Sequence, residues 1–300
     1  MSNLKDRAKG GFVGLFRGQS FEYRFLLAIT FALFAIGVIM VLDASYVTQL
    51  SAGNNPFSTV LRQLGIGIGG IALMLFISRM SVERLIAIAP LYTISVLGLQ
   101  GLTLLIGKAV GGNRNWIQIG TLPALQPSEF LKIGLIILVA KIAIERADDF
   151  GDLMHYWRWV AIYPGAGMVL VFLGGDMGTV MIMVAILLVQ LMLIGLQRPY
   201  MRLLLLVVSL LALIGTFGSS NRRARTMAWL FPDSPDPMDL GWQSKHGVWA
   251  LAAGGFGGVG FGNSTMKWSW IPEIDNDYIF AVLGEEFGMI GSAVVIGMFV

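Results

Sequence analysis

The sequence predicts an all-α protein, a polytopic bundle of transmembrane helices, and three observations support this class. Hydrophobic residues make up 56% of the 300 positions and charged residues only 13%, about half the charged share of a soluble domain. The mean hydropathy is +0.74. Apolar runs of about 20 residues, the length that crosses a bilayer as a helix, recur along the chain. Together these features favour a membrane protein over a soluble domain.

Eight apolar segments are predicted to span the membrane. Several are short or contain Pro or Gly, as at Pro90, Pro164 and Gly167, which is tolerated where neighbouring helices or water satisfy the freed backbone groups. The predicted spans are Phe25–Leu42, Val60–Ser78, Leu85–Gly107, Phe130–Ile144, Trp159–Leu173, Gly178–Leu196, Met201–Phe217 and Tyr278–Val300. A further apolar segment, His246–Phe261, contains five glycines from position 254 onward, and Gly262 follows directly after it. Because so many glycines make a poor lipid-facing helix, we expect a re-entrant or surface loop there.

The chain divides into a basic N-terminal segment, residues 1–24, and a transmembrane domain, residues 25–300. Two long segments between spans, residues 108–129 and 218–277, are predicted on the outer side of the membrane. The last residue, Val300, lies inside an apolar run, so we expect further helices in the native protein. No internal repeat divides the transmembrane domain into halves.

The distribution of Lys and Arg predicts a cytoplasmic N-terminus. With this orientation twelve of the 21 basic residues lie inside and eight outside, while Lys132 falls within a span. Several of the outer eight crowd into the two long outer segments, against the usual rule. They suggest an anionic ligand on the outer side, although solvation of the surface is an alternative that charge alone does not exclude.

Composition excludes several classes of function. The formal net charge is only +3, which is too even a balance for a nucleic-acid-binding protein. The absence of Cys excludes disulfides, thiolate metal sites and Cys nucleophiles, and only two His leave little for a His-built metal site. The glycine-rich stretch lacks the Lys of a P-loop, which argues against nucleotide binding.

Ionisable residues within predicted spans each require a partner or a function, because a charge in the bilayer costs roughly 2.5–3.5 kcal/mol or more. Glu129 and Lys132 are three residues apart at the start of the fourth span, so they lie on one helical face and are able to pair. Two roles remain possible for these residues, a structural ion pair between helices and a contact with the substrate. Asp176, in the short turn before the sixth span, is favoured as a helix N-cap.

The densest acidic cluster surrounds the start of the eighth span. Glu273, Asp275 and Asp277 precede this span, and an N-cap accounts for one of them at most. Glu285 and Glu286 follow about 12 Å deeper, at 1.5 Å per helical residue. Two adjacent carboxylates at that depth must face a polar cavity, other charged helices or a proton. The sequence therefore predicts either a water-filled site or a transport path in this region.

Three groups of residues form a combined pattern. The first lies between Gly111 and Lys132, the second is the turn Asp176–Thr179, and the third extends from Gly241 to Gly288. Their residues are Trp116, Ile117, Gly120, Gln126, Pro127, Ser128, Glu129 and Lys132; then Asp176, Met177, Gly178 and Thr179; and then Gly241, Trp242, Gln243, Gly254, Gly255, Gly257, Gly260, Gly262, Ile271, Pro272, Glu273, Asp277, Phe280, Gly284, Glu285, Glu286, Phe287 and Gly288. This combination resembles the SEDS proteins, the FtsW and RodA family of bacterial cell-wall polymerases, over most of the chain.

The sequence departs from the family pattern at several positions. The Arg that usually precedes the Trp of the first signature is Asn115, which leaves Arg114 as the nearest cation. The Pro usually found before the Asp-x-Gly-Thr turn is Gly175, and the frequent His-Thr-Asp triplet is Asp275-Asn276-Asp277. The family has ten spans, whereas eight are predicted here, so we expect a C-terminal truncation of about two helices.

The resemblance implies a peptidoglycan glycosyltransferase that polymerises lipid II on the outer face of the bacterial plasma membrane. The long basic N-terminus and the pattern of the last outer loop are more similar to the division branch of the family than to its elongation branch. A role at the division septum is therefore expected. The implied partners are a class B penicillin-binding protein and other division proteins, and the glycines of the second span, Gly65, Gly67, Gly69 and Gly70, permit close approach of a partner helix.

On the basis of this resemblance we expect an inverting transfer with Asp277 as general base. Lys132, oriented by Glu129, and Arg114 are candidates for stabilising the departing diphosphate. Further candidates are Arg222, Arg223 and Arg225 for a second diphosphate, and Glu285 as a polar group of the substrate site. A divalent cation that shares the neutralisation is left open, since no ligand set in the sequence shows one.

Two competing functions are also consistent with the sequence. A flippase or ion-coupled carrier for a lipid-linked precursor would use Glu285, Glu286 and the Glu129 and Lys132 pair as its path. The absence of inverted repeats, and the clustering of unusual residues toward the outer face, argue against transport. A scaffold that only recruits a transpeptidase is the other alternative.

Overall fold

The computed structural model describes residues 20–110, 113–118, 120, 124–145, 153–218, 220–231, 241–268 and 274–300. Most of the predicted basic segment and the motif positions Gly111, Ile271, Pro272 and Glu273 lie outside these ranges. The helices, in chain order, are α1 (Phe21–Ser51), α2 (Ser58–Ile77), α3 (Val82–Ile106), α4 (Pro127–Glu145), α5 (Leu153–Leu173), α6 (Met177–Ile194), α7 (Arg198–Phe217), α8 (Ser220–Leu230), α9 (Trp242–Gly254) and α10 (Ile279–Phe299). Two short antiparallel strands, β1 (Lys108–Val110) and β2 (Asn113–Trp116), lie between α3 and α4.

The predicted all-α class is confirmed, and each of the eight predicted spans falls on a helix. Within the described ranges six helices are long and apolar enough to cross a membrane: α1, α2, α3, α6, α7 and α10. In α5 the described stretch Ile162–Leu173 is apolar, and α4 carries four charged residues within 19. The first helix is longer than predicted, because it continues beyond Leu42 to Ser51 and so includes Asp43.

The chain forms two compact units. Unit one consists of Met1–Phe76 and Ala224–Val300, and unit two of Ile77–Arg223. Within unit one, buried residues of α1 and α10 pack together with Ile274. Within unit two, α3, α4, α5 and α6 surround Leu131, which is completely buried. The remaining surfaces of the helices are rich in exposed large apolar side chains, as expected where lipid is the solvent.

The structure differs from the predicted loop over His246–Phe261. The first part of this segment is helical, since α9 runs to Gly254, and turns follow from Gly255 onward. Gly254 packs directly on α10, where a Cβ would collide with the Gly284 carbonyl oxygen. Gly254 and Gly258 therefore mark close contact with the backbone of α10, a role that composition alone does not distinguish from a flexible loop.

Helix α10 has a break that this contact uses. Gly288 adopts φ +63°, which interrupts the helical hydrogen bonds. Val259 N donates to the freed Glu285 carbonyl oxygen at 3.0 Å, and Gly260 N donates to that of Glu286 at 3.0 Å. The segment after α9 is thus hydrogen-bonded along the middle of α10.

Candidate functional site

The Asp176 carboxylate organises the turn between α5 and α6 in unit two. Its Oδ1 accepts a hydrogen bond from Thr179 N at 2.9 Å, and its Oδ2 accepts one from Thr179 Oγ1 at 2.8 Å. Gln126 Nε2 also donates to Oδ2, at 3.2 Å. The predicted N-cap role is confirmed, because a carboxylate that receives the first free N–H groups of a helix is the usual N-cap.

The hairpin of β1 and β2 is attached to the same turn. Arg114 N donates to the Gly174 carbonyl oxygen at 2.7 Å. Asn115, the position where the family usually has Arg, is fully buried and accepts a hydrogen bond from Gln100 Nε2 at 3.1 Å. A Cβ on Gly174 would collide with the Asn115 side chain. Asn115 is therefore a packing residue, while the Arg114 side chain is exposed.

Glu129 and Lys132 form the predicted pair. Lys132 Nζ lies 2.9 Å from Glu129 Oε1, three residues apart on α4, with the two side chains 18% and 54% exposed respectively. Because both partners belong to one helix, the pair does not join two helices, which was one of the two interpretations open from sequence. A partly exposed ammonium with a single carboxylate partner retains donors for a ligand.

The two arginines of α8 in unit two differ in their surroundings. Arg222 Nε donates to the Gly215 carbonyl oxygen at 2.7 Å, near the C-terminal end of α7. Arg223 is exposed. Since the last carbonyls of a helix attract cations, Arg222 has a structural contact there. Arg223 is the more accessible of the two cations.

Asp277 lies in unit one, in the turn immediately before α10, and it is exposed. The residue that caps α10 is Tyr278, which forms no side-chain cap, so Asp277 is not the N-cap. Among the described residues the structure gives the Asp277 carboxylate no hydrogen-bond partner. Its neighbour Ile274 is 3% exposed and Tyr278 packs on the same cluster, so the backbone on both sides is anchored. Within the part of the chain that the structure describes, the carboxylate is thus unpaired on a turn whose two ends are packed.

Glu285 is buried and bonded by the segment that follows α9. Thr265 N and Oγ1 donate to its Oε1 at 3.0 and 2.7 Å, and Ser264 Oγ and Met266 N donate to its Oε2. The residue is 1% exposed. These four hydrogen bonds satisfy both oxygens of the carboxylate without a ligand, so Glu285 holds this segment of its own chain.

Glu286 belongs to an ionic cluster that the sequence analysis did not find. Lys267 Nζ contacts Glu286 Oε1 at 3.1 Å and both oxygens of Asp43 at 2.9 and 3.0 Å. Asp43 escaped notice because the first predicted span ends at Leu42, and Lys267 is one of the eight basic residues predicted on the outer side, where no partner is required. A span extended by one helical turn would have placed Asp43 in lipid and required a cation for it.

Asp43 and Lys267 also border a cavity of ≈ 590 Å³ within unit one. Its other walls are mainly apolar residues of α1, with Phe261 and Trp268 from the segment after α9. The described part of the chain contains no group of three or more His, Asp or Glu side chains that could hold a metal ion.

One protein-family model matches nearly the whole chain. A family model described as cell cycle protein, for FtsW, RodA and SpoVE, matches residues 23–300. The chain belongs to the FtsW/RodA/SpoVE family.

Relatives within this family resemble the chain along most of its length. A probable peptidoglycan glycosyltransferase FtsW of Tolumonas auensis is 32% identical over 285 residues, which cover 92% of this chain and 71% of that protein. The corresponding protein of Allochromatium vinosum is 34% identical, with 92% and 69% covered. Stage V sporulation protein E of Bacillus subtilis is 28% identical, with 91% and 75% covered.

Solved structures of the family share the fold. A chain from a structure titled as a peptidoglycan synthase complex that coordinates polymerization and crosslinking aligns with a TM-score of 0.67, 23% identity, and coverage of 91% of this chain and 74% of that one. RodA of Thermus thermophilus aligns with a TM-score of 0.60 and 23% identity, over 91% and 70%. The FtsW/RodA/SpoVE fold and the apolar helices make this chain a multi-pass membrane protein.

Proposed function

We propose that the protein is a peptidoglycan glycosyltransferase that polymerises lipid II into glycan strands during cell division. The names of its FtsW relatives support this activity. The observation that carries the proposal is Asp277, an exposed carboxylate on an anchored turn with no hydrogen-bond partner among the described residues. A general base needs such a free carboxylate within reach of a substrate hydroxyl.

The reaction is a displacement with inversion at a sugar carbon. The 4-hydroxyl oxygen of the acceptor sugar attacks the anomeric carbon of the donor, and the bond from that carbon to the diphosphate oxygen breaks. Asp277 accepts the hydroxyl proton as the new glycosidic bond forms. The polyprenyl diphosphate leaves with the bonding electrons, so negative charge accumulates on its oxygens.

Cations of unit two stabilise that charge in this proposal. Lys132 is partly exposed and is oriented by Glu129, and the Arg114 side chain is exposed on β2. Donors that are already held in place stabilise a developing anion without reorganising during the reaction. Arg223, more than Arg222, serves a second diphosphate, because Arg222 is engaged with the end of α7.

The proposed setting is the bacterial plasma membrane at the division septum, with the N-terminus in the cytoplasm and Asp277 on the outer side. Excess basic residues on the inner side of the predicted topology support this orientation. The proposed partners are a class B penicillin-binding protein and other division proteins. Gly65, Gly69 and Gly70 on α2 have open space where a side chain would stand, which suits the approach of a partner helix. Gly67 does not share this property, because its position faces the Phe34 ring of α1.

Asp277→Asn tests the activity. The amide is nearly isosteric and cannot accept the proton, so we expect polymerisation of purified lipid II to fall by at least about 100-fold. Asp275→Asn, a neighbouring and less exposed acid, is the matched control and should retain activity. Gel analysis of glycan products and thermal unfolding should be measured on both. Wild-type polymerisation by folded Asp277→Asn would remove this residue from the role of base.

Transport of a lipid-linked precursor is the alternative from a different class. Glu285 and Glu286 are each 1% exposed, and the segment 264–267 bonds to both, which does not favour a hydrated path through them. Movement of labelled lipid II across vesicles, measured in parallel with glycan synthesis, separates the two activities. Movement without synthesis would favour the transporter.

A further inference from the structure

Lys267 connects three separate parts of unit one. Its Nζ contacts Asp43 on α1, Glu286 on α10 and, at 2.7 Å, the carbonyl oxygen of Gly262 in the segment after α9. The side chains of Lys267, Asp43 and Glu286 are 5%, 11% and 0% exposed. An ammonium has three donors. All of them are used by the protein itself, so Lys267 has none left for a substrate.

Stability alone is a weak explanation for such a cluster. Burying a Lys with two carboxylates carries a desolvation penalty that the ion pairs offset only with good geometry, and apolar replacements are often as stable. Both carboxylates contact one nitrogen, so they lie within about 6 Å of each other, where like charges repel. What the cluster does provide is a directional contact that holds three backbone segments in one arrangement.

The segments that Lys267 joins are those that support Asp277. Met40, Asp43 and Ala44 lie on one face of α1, three and four residues apart. Asp43 holds Lys267, while Met40 and Ala44 pack in one cluster with Ile274 and Val282. These last two residues flank the turn of Asp277 on either side. The same face of α1 therefore binds Lys267 and anchors the turn that carries the carboxylate.

The segment between α9 and Lys267 has a second attachment to α10. Val259 N and Gly260 N donate to the carbonyl oxygens of Glu285 and Glu286, each at 3.0 Å. Met266, next to Lys267, packs against the same cluster as Ile274. Movement at Lys267 would thus be transmitted to α10 through hydrogen bonds as well as through apolar contacts.

We propose that Lys267 is a positioning residue for the glycosyl transfer: by joining Asp43 to Glu286 it fixes α1, the segment 259–267 and α10 together and so sets the place of Asp277. This inference rests on the proposed function, since it assigns Lys267 a role in placing that base. A displacement of the base by about 1 Å is enough to lower a rate by about 100-fold.

The experiment compares four variants of the purified full chain in lipid II polymerisation. Lys267→Met removes the ammonium and leaves two buried carboxylates, which endangers folding. The triple variant Asp43→Asn, Lys267→Met, Glu286→Gln removes all three charges, and Asp43→Asn alone leaves the balanced pair of Lys267 and Glu286. Lys141→Met is the matched control, because Lys141 pairs with Glu145 at 3.7 Å elsewhere on the surface of α4.

Rates are expressed per folded molecule, and hydrogen exchange is followed at the amides of Val259 and Gly260. For the triple variant we expect thermal unfolding close to that of the wild type, kcat lowered about 100-fold, KM for lipid II within about twofold, and faster exchange at the two amides. Asp43→Asn should lower kcat about tenfold. Lys141→Met should match the wild type in all of these measurements.

Two results would overturn the positioning role. One is a wild-type kcat per folded molecule in both Asp43→Asn and the triple variant, which would leave the cluster with a purely structural role. The other is a change confined to KM, which would indicate contact with the substrate. If the wild-type protein forms no glycan, the proposed function itself fails, and the positioning role fails with it.

Discussion

Two ion pairs with the same N···O distance lie in contrasting surroundings in this protein. Lys132 and Glu129 meet at 2.9 Å on one helix of unit two, and Lys267 and Asp43 meet at 2.9 Å between separate segments of unit one. The first pair is partly exposed, and the second is buried with a further carboxylate. Contact distance therefore says little about role. Burial, and the number of partners that share the ammonium, separate a cation that is available for a ligand from one that holds the fold.

The largest effect on activity is expected for the partly exposed pair of Lys132 and Glu129. Lys132→Met should lower polymerisation of lipid II by about 100- to 1,000-fold, because a held donor to a developing anion is lost. Thermal unfolding should change little, since a partly exposed pair contributes at most about 1 kcal/mol. Product analysis and unfolding of the same preparation check both statements. A strongly destabilised Lys132→Met protein would break the contrast with Lys267.

Substitution of Lys267 in the buried cluster should, in contrast to Lys132→Met, lower the stability strongly. Lys267→Met leaves Asp43 and Glu286 without their cation, so we expect the free energy of unfolding to fall by about 3–5 kcal/mol. Denaturation in detergent, with Lys141→Met as the control, measures this difference. Equal stability of the two variants would mean that the cluster is much better hydrated than its burial indicates.

A smaller effect is expected from Asp176, whose contacts are local. Asp176→Ala removes the N-cap of α6 and the acceptor of Gln126, so the free energy of unfolding should fall by about 1–2 kcal/mol. Asp176→Asn retains an oxygen for the Thr179 amide and should lose less. Unfolding of the two variants side by side provides the measurement, and an equal loss would argue against a capping origin.

The smallest effect on stability is expected from Glu129→Gln. Its pair with Lys132 is partly exposed and joins residues three apart on one helix, which contributes about 0.5 kcal/mol or less. The change in unfolding should therefore be close to the experimental error. Polymerisation should still fall several-fold, because Lys132 loses the group that orients it. A rate equal to the wild type would leave Glu129 without a part in the site.

Local features of the fold were predictable from sequence, and distant contacts were not. The Asp176 cap and the Glu129 and Lys132 pair follow from spacings of three residues, whose geometry is set by the helix itself. Asp43 and Lys267 are 224 residues apart, so no local rule brings them together. The predicted loop was wrong for His246–Gly254 for the same reason, because Gly254 ends a helix that packs on the distant backbone of α10.

The sequence by itself determined where the apolar segments lie, which acid caps α6 and which cation has a neighbour on its own helix, because hydropathy and helical periodicity act over a few residues. Only the tertiary structure decided which of the acids around α10 are buried and hydrogen-bonded and which is exposed. Glu285 and Glu286 are hydrogen-bonded by the segment 264–267, whereas Asp277 is exposed on an anchored turn and has no hydrogen-bond partner within the described ranges. Carboxylates of equal intrinsic chemistry differ in this way because packing between distant segments determines which of them keeps its contact with solvent.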